Sequence, residues 1–306
     1  MRDLRTPLAY AGMCLIWGTT YLVIKQGLHG LSPLAGVGVR FILAGLVFAA
    51  VALAARRPRE RVPLGLVVTL ATGLFGLNYV FVYVAETRLA SGMMAVLFAV
   101  YPFCMYAFGR FLLGEQIARR ALAGTAVAVI GVVMLSWSLL GSAPPFYVAA
   151  ALCSPVLAAF ANVRLKESGV RSPLNVFPQA MLLAGAVSLA AGLASAPIDV
   201  RAAVAPSSLW SVVYLTLFGT CIAFTLNLWV LRHLSAGTVG LSQLIVPTVA
   251  LIVGAIAGGE SLSALQLCGA SLVIGGVAAA VVPSTAARPR RTIASATAAA
   301  SADRCA

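Results

Sequence analysis

The chain has 306 residues, of which 61% are hydrophobic and 9% are charged, and its mean hydropathy is +1.00. Soluble domains carry about 25% charged residues, so this composition excludes a water-soluble globular protein. The net charge of +13 would suggest a nucleic-acid partner in a soluble protein. No nucleic-acid partner is expected here, because the basic residues lie between long apolar runs.

Ten apolar runs follow one another along the chain, and each has about the 20 residues that a membrane-spanning helix needs. They cover residues 8–25, 34–55, 64–85, 91–110, 120–139, 146–164, 175–196, 208–231, 238–257 and 264–282. The runs are continuously apolar, whereas the strands of a β-barrel alternate and are about half as long. The sequence therefore predicts an all-α integral membrane protein with ten transmembrane helices, which spans the inner (cytoplasmic) membrane several times.

The distribution of basic residues predicts the orientation of the chain. Counted from a cytoplasmic N-terminus, 17 arginines and lysines fall on one face of the membrane and three on the other. Cytoplasmic loops of membrane proteins carry an excess of Lys and Arg. Both termini are therefore expected in the cytoplasm, which requires an even number of spans.

The second half of the chain repeats the first. A shift of 145 residues aligns 89–132 with 234–277 without a gap and gives ten identical pairs. The pairs with most weight are a proline and a Gly-Glu dipeptide: Pro102 with Pro247, and Gly114-Glu115 with Gly259-Glu260. The duplication predicts two five-helix repeats, 1–140 and 141–283. A disordered cytoplasmic tail is expected at 284–306, where Ala, Ser, Thr and Arg replace the apolar pattern.

Five helices per repeat imply that the second copy enters the membrane from the opposite side. The charges test this independently, because a loop that is cytoplasmic in one copy lies outside in the other. Three arginines surround Glu115, at 110, 119 and 120, and none occupies the aligned positions around Glu260. This loss of charge is what the positive-inside rule predicts for an inverted repeat.

Polar residues inside the predicted spans are candidates for substrate binding, because polar groups in a bilayer are costly unless they face a cavity or another helix. The candidates are Trp17, Asn78, Tyr79, Asn162, Asn227 and Gln243. Each amide can instead bond a neighbouring helix. Trp17 lies too deep for the interfacial aromatic belt, so it lines a cavity or packs in the core.

The third span combines an amide, phenols and a carboxylate on adjoining faces. Asn78, Val82 and Glu86 are spaced at i, i+4 and i+8, with Tyr79 and Tyr83 alongside. Such a surface suits a zwitterion or an aromatic solute. The alternative for the two tyrosines, favoured for Tyr83, is the interfacial aromatic belt.

Two charged residues and two prolines are candidates for gating or coupling. Glu86 is the titratable group placed to carry a proton, and its alternative is an interfacial ion pair with Arg88. Arg40 can snorkel outward, hold a substrate carboxylate or pair with Glu86. Pro102 and Pro247 interrupt helical hydrogen bonds, either as hinges or for packing.

Glu115 and Glu260 each lie just before the next helix of their repeat. The N-terminal end of a helix is positive and stabilises a carboxylate. We therefore expect both glutamates to have a structural role in their turns.

Several short motifs follow one another over residues 8–282: Trp17-Gly18-Thr19-Thr20-Tyr21, Arg40-Phe41, Ala85-Glu86, Pro102, Leu113-Gly114-Glu115, Pro247 and Gly259-Glu260. In this order and duplicated, they resemble the ten-helix EamA-type members of the drug/metabolite transporter superfamily. The resemblance implies export of amino acids, other metabolites or toxic compounds, usually coupled to protons or driven by a gradient.

Architecture and resemblance together predict a secondary transporter that exports a small, amino acid-like metabolite by alternating access. Its expected partners are a small-molecule substrate, protons and membrane lipid, with no cofactor and no metal; no feature defines an oligomeric state. Broad-specificity drug efflux is the alternative. A membrane-embedded enzyme is disfavoured, because the chain has no His-Glu-x-x-His motif and no paired aspartates within a span. A channel or scaffold would not need an inverted repeat.

Overall fold

A computed structural model describes residues 4–27, 31–56, 61–89, 91–137, 144–197, 199–258 and 263–281. Each predicted span is helical, and we number the ten long helices of the described residues in chain order. They are α1 (Arg5–Gly27), α2 (Pro33–Ala54), α3 (Leu64–Glu86), α4 (Ser91–Phe98 and Tyr101–Leu113), α5 (Arg119–Ser136), α6 (Pro145–Glu167), α7 (Pro173–Ser195), α8 (Pro206–His233), α9 (Ala236–Gly240 and Ser242–Gly258) and α10 (Ala264–Val281). A short helix, Val200–Ala203, precedes α8.

Nine of these helices, α2 to α10, are long and apolar enough to cross a membrane over the described residues. The prediction of an all-α membrane fold is therefore confirmed. The expectations for Glu260 and for the tail at 284–306 concern positions outside the described residues.

Two helices begin with the same Ser-Pro pair. Ser32 caps α2 by accepting a hydrogen bond from the backbone N–H of Ala35, and Ser172 caps α7 through Leu174. A proline follows each serine at the start of the helix, where its missing N–H would have no helical partner in any case.

Helix contacts repeat when every helix number is shifted by five. α2 packs along α7, and α5 packs along α10. α6 contacts α3 and α4, and the corresponding helix α1 contacts α8 and α9. Six helices, α1, α3, α4, α6, α8 and α9, therefore form the centre of the bundle. The pairs α2–α7 and α5–α10 lie beside this centre.

Glycines allow α5 and α10 to approach backbone to backbone. A Cβ atom on Gly124 would lie 2.5 Å from the carbonyl oxygen of Gly276, and one on Gly276 would lie 2.5 Å from that of Gly124. Gly131 and Gly269 form a second such contact, with distances of 2.6 and 2.8 Å. Small residues are what close packing of membrane helices requires.

Four helices are irregular in their middle parts. α3 contains a π-helical turn at Leu70–Gly76, and α8 contains one at Leu217–Ile222. α4 is interrupted between Phe98 and Tyr101, and α9 is interrupted at Leu241. Hydropathy predicted the four spans, and the two prolines indicated irregularity in α4 and α9, but no sequence feature predicted the π-helical turns of α3 and α8.

The glycine contacts between α5 and α10 give a matched pair of substitutions. In Gly276→Ala the new methyl group meets the backbone of α5, whereas a Cβ atom on Gly275 has nothing within 4 Å. We expect Gly276→Ala to lower the free energy of unfolding by about 1–3 kcal/mol, and Gly275→Ala to leave it unchanged or raise it slightly. Thermal unfolding of the purified variants in detergent measures the difference, and equal melting temperatures would contradict the close approach.

Candidate functional site

A cavity lies at the centre of the bundle, between α1, α3, α4, α6, α8 and α9. It has a volume of about 60 Å³, and its lining includes Trp17, Thr20, Asn78, Tyr79, Tyr101, Phe224 and Gln243. This is room for a few water molecules, well below the 300–1,000 Å³ that is usual for ligand pockets. The lining residues of the cavity carry no formal charge, and its walls combine aromatic rings with amide and hydroxyl groups.

Four of the predicted substrate-binding residues line this cavity: Trp17, Asn78, Tyr79 and Gln243. The indole of Trp17 packs edge-on against Phe224, with ring centroids 5.7 Å apart. Its buried N–H has no hydrogen-bond partner among the described residues. Trp17 therefore combines the two expected roles, because its ring packs in the core and lines the cavity.

Tyr101, Phe98 and Phe224 line the cavity but were not predicted. Phe98 and Tyr101 stand on either side of the interruption in α4, with their rings stacked 5.7 Å apart. A usable signal was present, since Tyr101 directly precedes Pro102 in the middle of a predicted span. An aromatic residue at that depth resembles Trp17 in position.

Asn78 lies two residues after the π-helical turn in α3. Its Nδ2 donates to the carbonyl oxygen of Leu74 at 3.0 Å, within the stretch where the regular pattern of hydrogen bonds is changed. Ser154 of α6 donates to Asn78 Oδ1 at 2.6 Å. The amide of Asn78 thus satisfies a backbone group of α3 and joins this helix to α6 at the cavity wall.

Arg40 plays the corresponding part at the π-helical turn of α8. Arg40 is 1% exposed, and its guanidinium donates from Nε to Thr220 Oγ1 at 2.8 Å and from Nη2 to the carbonyl oxygen of Gly219 at 3.1 Å. The guanidinium carbon also lies 4.7 Å from the ring centroid of Tyr79. The side chain points into the bundle and does not snorkel outward, and Glu86 is not among these contacts.

Asn162 and Asn227 form a hydrogen-bonded chain behind the cavity wall. Asn227 Nδ2 donates to Asn162 Oδ1 at 2.8 Å, and Asn162 Nδ2 donates to the hydroxyl of Tyr101 at 3.1 Å and to the carbonyl of Ala158 at 3.0 Å. Neither asparagine is among the cavity-lining residues. The two amides join α6 to α8 and hold the hydroxyl of Tyr101, a residue that does line the cavity.

Glu86 and Tyr83 are both buried at the end of α3, with 5% and 3% exposure. The belt interpretation of Tyr83 is wrong, because its ring packs inward against α2, where Gly36 leaves room for it. Arg88 is exposed, and the ion pairs between described residues do not include one between Arg88 and Glu86. Among the described acidic residues, Glu86 is the buried one.

Glu115 contacts a helix other than the expected one. Its Oε2 accepts from the backbone N–H of Ala236, at the start of α9, at 2.8 Å, rather than from the start of α5. Its Oε1 pairs with Lys166 Nζ of α6 at 2.7 Å, and Lys166 also donates to the carbonyl of Leu234 at 2.6 Å. This cluster joins α6, the loop between α4 and α5, and the junction of α8 and α9.

The two candidate prolines differ in position. Pro102 lies in the first turn of the second part of α4, where a proline fits without loss of a hydrogen bond. Pro247 lies inside the second part of α9. A Cβ atom on Gly240, next to the interruption in α9, would be 2.9 Å from the Cα of Pro102, so the two interrupted helices cross closely there.

A membrane-embedded bundle around a central, uncharged, aromatic-lined cavity has the architecture that a carrier for a small solute requires. The model described as the EamA-like transporter family matches the chain twice, over residues 6–137 and 145–282. The chain belongs to the EamA-like transporter family. It is a multi-pass protein of the inner membrane and a transporter rather than an enzyme.

Relatives of similar length share between a quarter and a third of their residues with this chain. The Escherichia coli K12 uncharacterized inner membrane transporter YedA is 29% identical over 87% of both chains. A probable amino-acid metabolite efflux pump of Salmonella typhimurium is 28% identical, over 86% of this chain and 90% of that one. A probable terminal-alkyne amino-acid exporter of Streptantibioticus cattleyicolor is 28% identical, over 85% and 88%.

A solved crystal structure also matches, with a TM-score of 0.78, 24% sequence identity, and coverage of 92% of this chain and 98% of that one. At this level of identity the match shows that the fold is shared.

The contacts of Arg40 predict that lysine cannot replace it. One ammonium group cannot reach both Thr220 and Gly219 as the planar guanidinium does, so Arg40→Lys leaves a buried acceptor without its donor. We expect the free energy of unfolding to fall by about 1–3 kcal/mol, measured by thermal unfolding in detergent. Arg88→Lys, at an exposed position, is the control and is expected to have little effect; an equal effect of both changes would contradict the role of Arg40.

Proposed function

We propose that this protein is a secondary transporter that exports a small, amino acid-like metabolite by alternating access. The observation that carries the proposal is the central cavity, whose walls present the amides of Asn78 and Gln243 beside the rings of Trp17, Tyr79 and Tyr101. The names of the relatives from Salmonella and Streptantibioticus, an amino-acid metabolite efflux pump and an amino-acid exporter, support the same solute class.

The lining offers a zwitterion both kinds of contact that it needs. Amide oxygens and the faces of aromatic rings attract an ammonium group, and amide N–H groups together with the indole N–H of Trp17 can donate to a carboxylate. The rings also supply apolar surface for a side chain. Uncharged groups of this kind bind a solute weakly enough to release it on the other side.

Alternating access requires two conformations of similar energy, and the symmetry of the contacts supports this. The six helices around the cavity form the pairs α1 and α6, α3 and α8, and α4 and α9, each related by a shift of five helices. Two inverted halves, 1–140 and 141–283, can exchange conformations, so that the cavity opens to one side and then to the other. The positive-inside distribution supports a cytoplasmic position for both termini.

The conformation described here is contracted, because a cavity of about 60 Å³ has to widen before it holds an amino acid. The interrupted middle parts of α3, α4, α8 and α9 are the places where a small change of backbone angles widens it. In this mechanism, the Glu115–Lys166 cluster holds one end of the bundle together. Its contacts with α9 have to break when that end opens.

Counterflow in proteoliposomes tests the solute class. Vesicles containing the purified protein are loaded with unlabelled solute, and uptake of the labelled solute is followed for amino acids, sugars, nucleosides and cationic dyes. We expect saturable exchange with amino acids, reduced at least tenfold in Asn78→Leu, because the apolar side chain removes a polar contact of about 1.4 kcal/mol or more. Exchange confined to the dyes would establish the alternative, broad drug efflux, and would refute the metabolite proposal.

We propose that Glu86 carries the coupling proton, because it is the buried carboxylate of the described membrane helices. In Glu86→Gln the side chain cannot bind and release a proton. Export driven by an imposed pH gradient should therefore be lost, while counterflow, which needs no net proton movement, should persist. Glu167→Gln, an exposed carboxylate paired with Arg164, is the control, and a gradient response retained in Glu86→Gln would remove Glu86 from this role.

A further inference from the structure

A second cavity lies away from the central one, where the ends of α1, α7 and α8 meet. We call it the basic pocket; it has a volume of about 200 Å³, and its lining includes Arg5, Arg171, Trp229 and Arg232. These arginines come from separate parts of the chain: the first residue of α1, the loop before α7, and the last turn of α8. Three arginines from distant parts of the sequence therefore line one small space.

The charges of Arg171 and Arg232 are not paired with a carboxylate of the described residues. No acidic residue is among its lining residues in the described part of the chain. The ion pairs between described residues are Arg164–Glu167 and Lys166–Glu115, and they involve neither Arg171 nor Arg232. Arg232 donates to the backbone carbonyl of Arg171 at 3.0 Å, a contact that holds the Arg232 side chain beside the loop before α7 without cancelling its charge. The pocket thus has the charge that an anion requires.

A long apolar groove continues from the basic pocket along the outside of α2 and α8. It has a volume of about 620 Å³ and includes Val47, Phe48, Val51 and Ile222 in its lining. Pro173, Thr225 and Leu226 line both the groove and the basic pocket, so the two spaces adjoin. Val51 and Ile222 are 49% and 43% exposed, as expected for side chains that face lipid.

The depth of the groove matches one leaflet of a bilayer. From Arg232 to Ile222 the chain of α8 rises about 15 Å, which is half the thickness of a hydrocarbon core of about 30 Å. Trp229 lines the basic pocket together with the arginines, as expected for a tryptophan at the membrane interface. The basic pocket therefore lies at the membrane surface, and the apolar groove extends from it into the hydrocarbon core.

We propose that the basic pocket and the apolar groove together form a binding site for one anionic phospholipid. The phosphate of the headgroup would lie between Arg171 and Arg232, and an acyl chain would fill the groove between α2 and α8. A free phosphate ion would use the arginines but would leave the groove empty. This site is independent of the transported solute, because it opens to lipid and shares no lining residue with the central cavity.

Lipid binding to the purified protein in detergent tests the headgroup contacts. Native mass spectrometry measures the affinity for phosphatidylglycerol and for phosphatidylcholine, and we expect the anionic lipid to bind more tightly. Arg171→Gln and Arg232→Gln should each weaken phosphatidylglycerol binding about fivefold, the change that corresponds to about 1 kcal/mol per basic residue. The double variant Arg171→Lys/Arg232→Lys keeps both charges and should retain most of the preference.

Control variants separate this site from general attraction to a basic surface. Arg119→Gln removes an exposed charge from the start of α5 and should leave lipid affinity unchanged; an effect equal to that of Arg171→Gln would refute a specific pocket.

The groove is tested in the same way. Val51→Trp fills it, whereas Leu53→Trp, on the same helix and 66% exposed, lies outside it. Weaker phosphatidylglycerol binding in Val51→Trp alone is expected. Inorganic phosphate that competes fully with the lipid, together with no effect of Val51→Trp, would show an anion site without an acyl chain and overturn the proposal.

Discussion

Every backbone carbonyl inside a membrane needs a hydrogen-bond donor, because hydrocarbon supplies none. A π-helical turn changes the local hydrogen-bond pattern, and in both α3 and α8 a polar side chain donates to a carbonyl oxygen of the turn. Asn78 donates to Leu74 within α3, and Arg40 reaches across from α2 to Gly219 in α8. Each of the two π-helical turns is therefore stabilised by a polar side chain. Such turns are frequent at functional sites.

The irregular parts of the bundle converge on the central cavity. Leu74 in the turn of α3, Phe224 just after the turn of α8, Tyr101 at the interruption of α4 and Gln243 near the interruption of α9 all line it. Regular helices with apolar faces would pack without leaving polar space at the centre. The cavity thus follows from the same local deviations that make α3, α4, α8 and α9 the least regular helices, while α2, α5, α7 and α10 remain regular at its sides.

Hydropathy and charge predicted the helices to within a few residues, because the cost of exposing polar groups to lipid dominates every other term. Position within a span also predicted Trp17, Asn78, Tyr79 and Gln243 at the cavity.

What the sequence did not predict depends on contacts between distant segments. A π-helical turn leaves hydropathy unchanged, the direction of the Arg40 side chain depends on α8, and Glu115 contacts α9 instead of the nearby helix α5. Tyr101 was not predicted, because its signal is its place beside Pro102 in the middle of a span and not a periodic pattern.

The close backbone contact between α5 and α10 limits how these two helices can move relative to each other. Gly124 and Gly131 contact Gly276 and Gly269 through backbone atoms, and glycines have no side chains that can repack if the helices slide. Interiors packed this closely switch between discrete arrangements instead of deforming continuously. We therefore expect α5 and α10 to move together as one rigid unit, so that the other helices rotate relative to this pair.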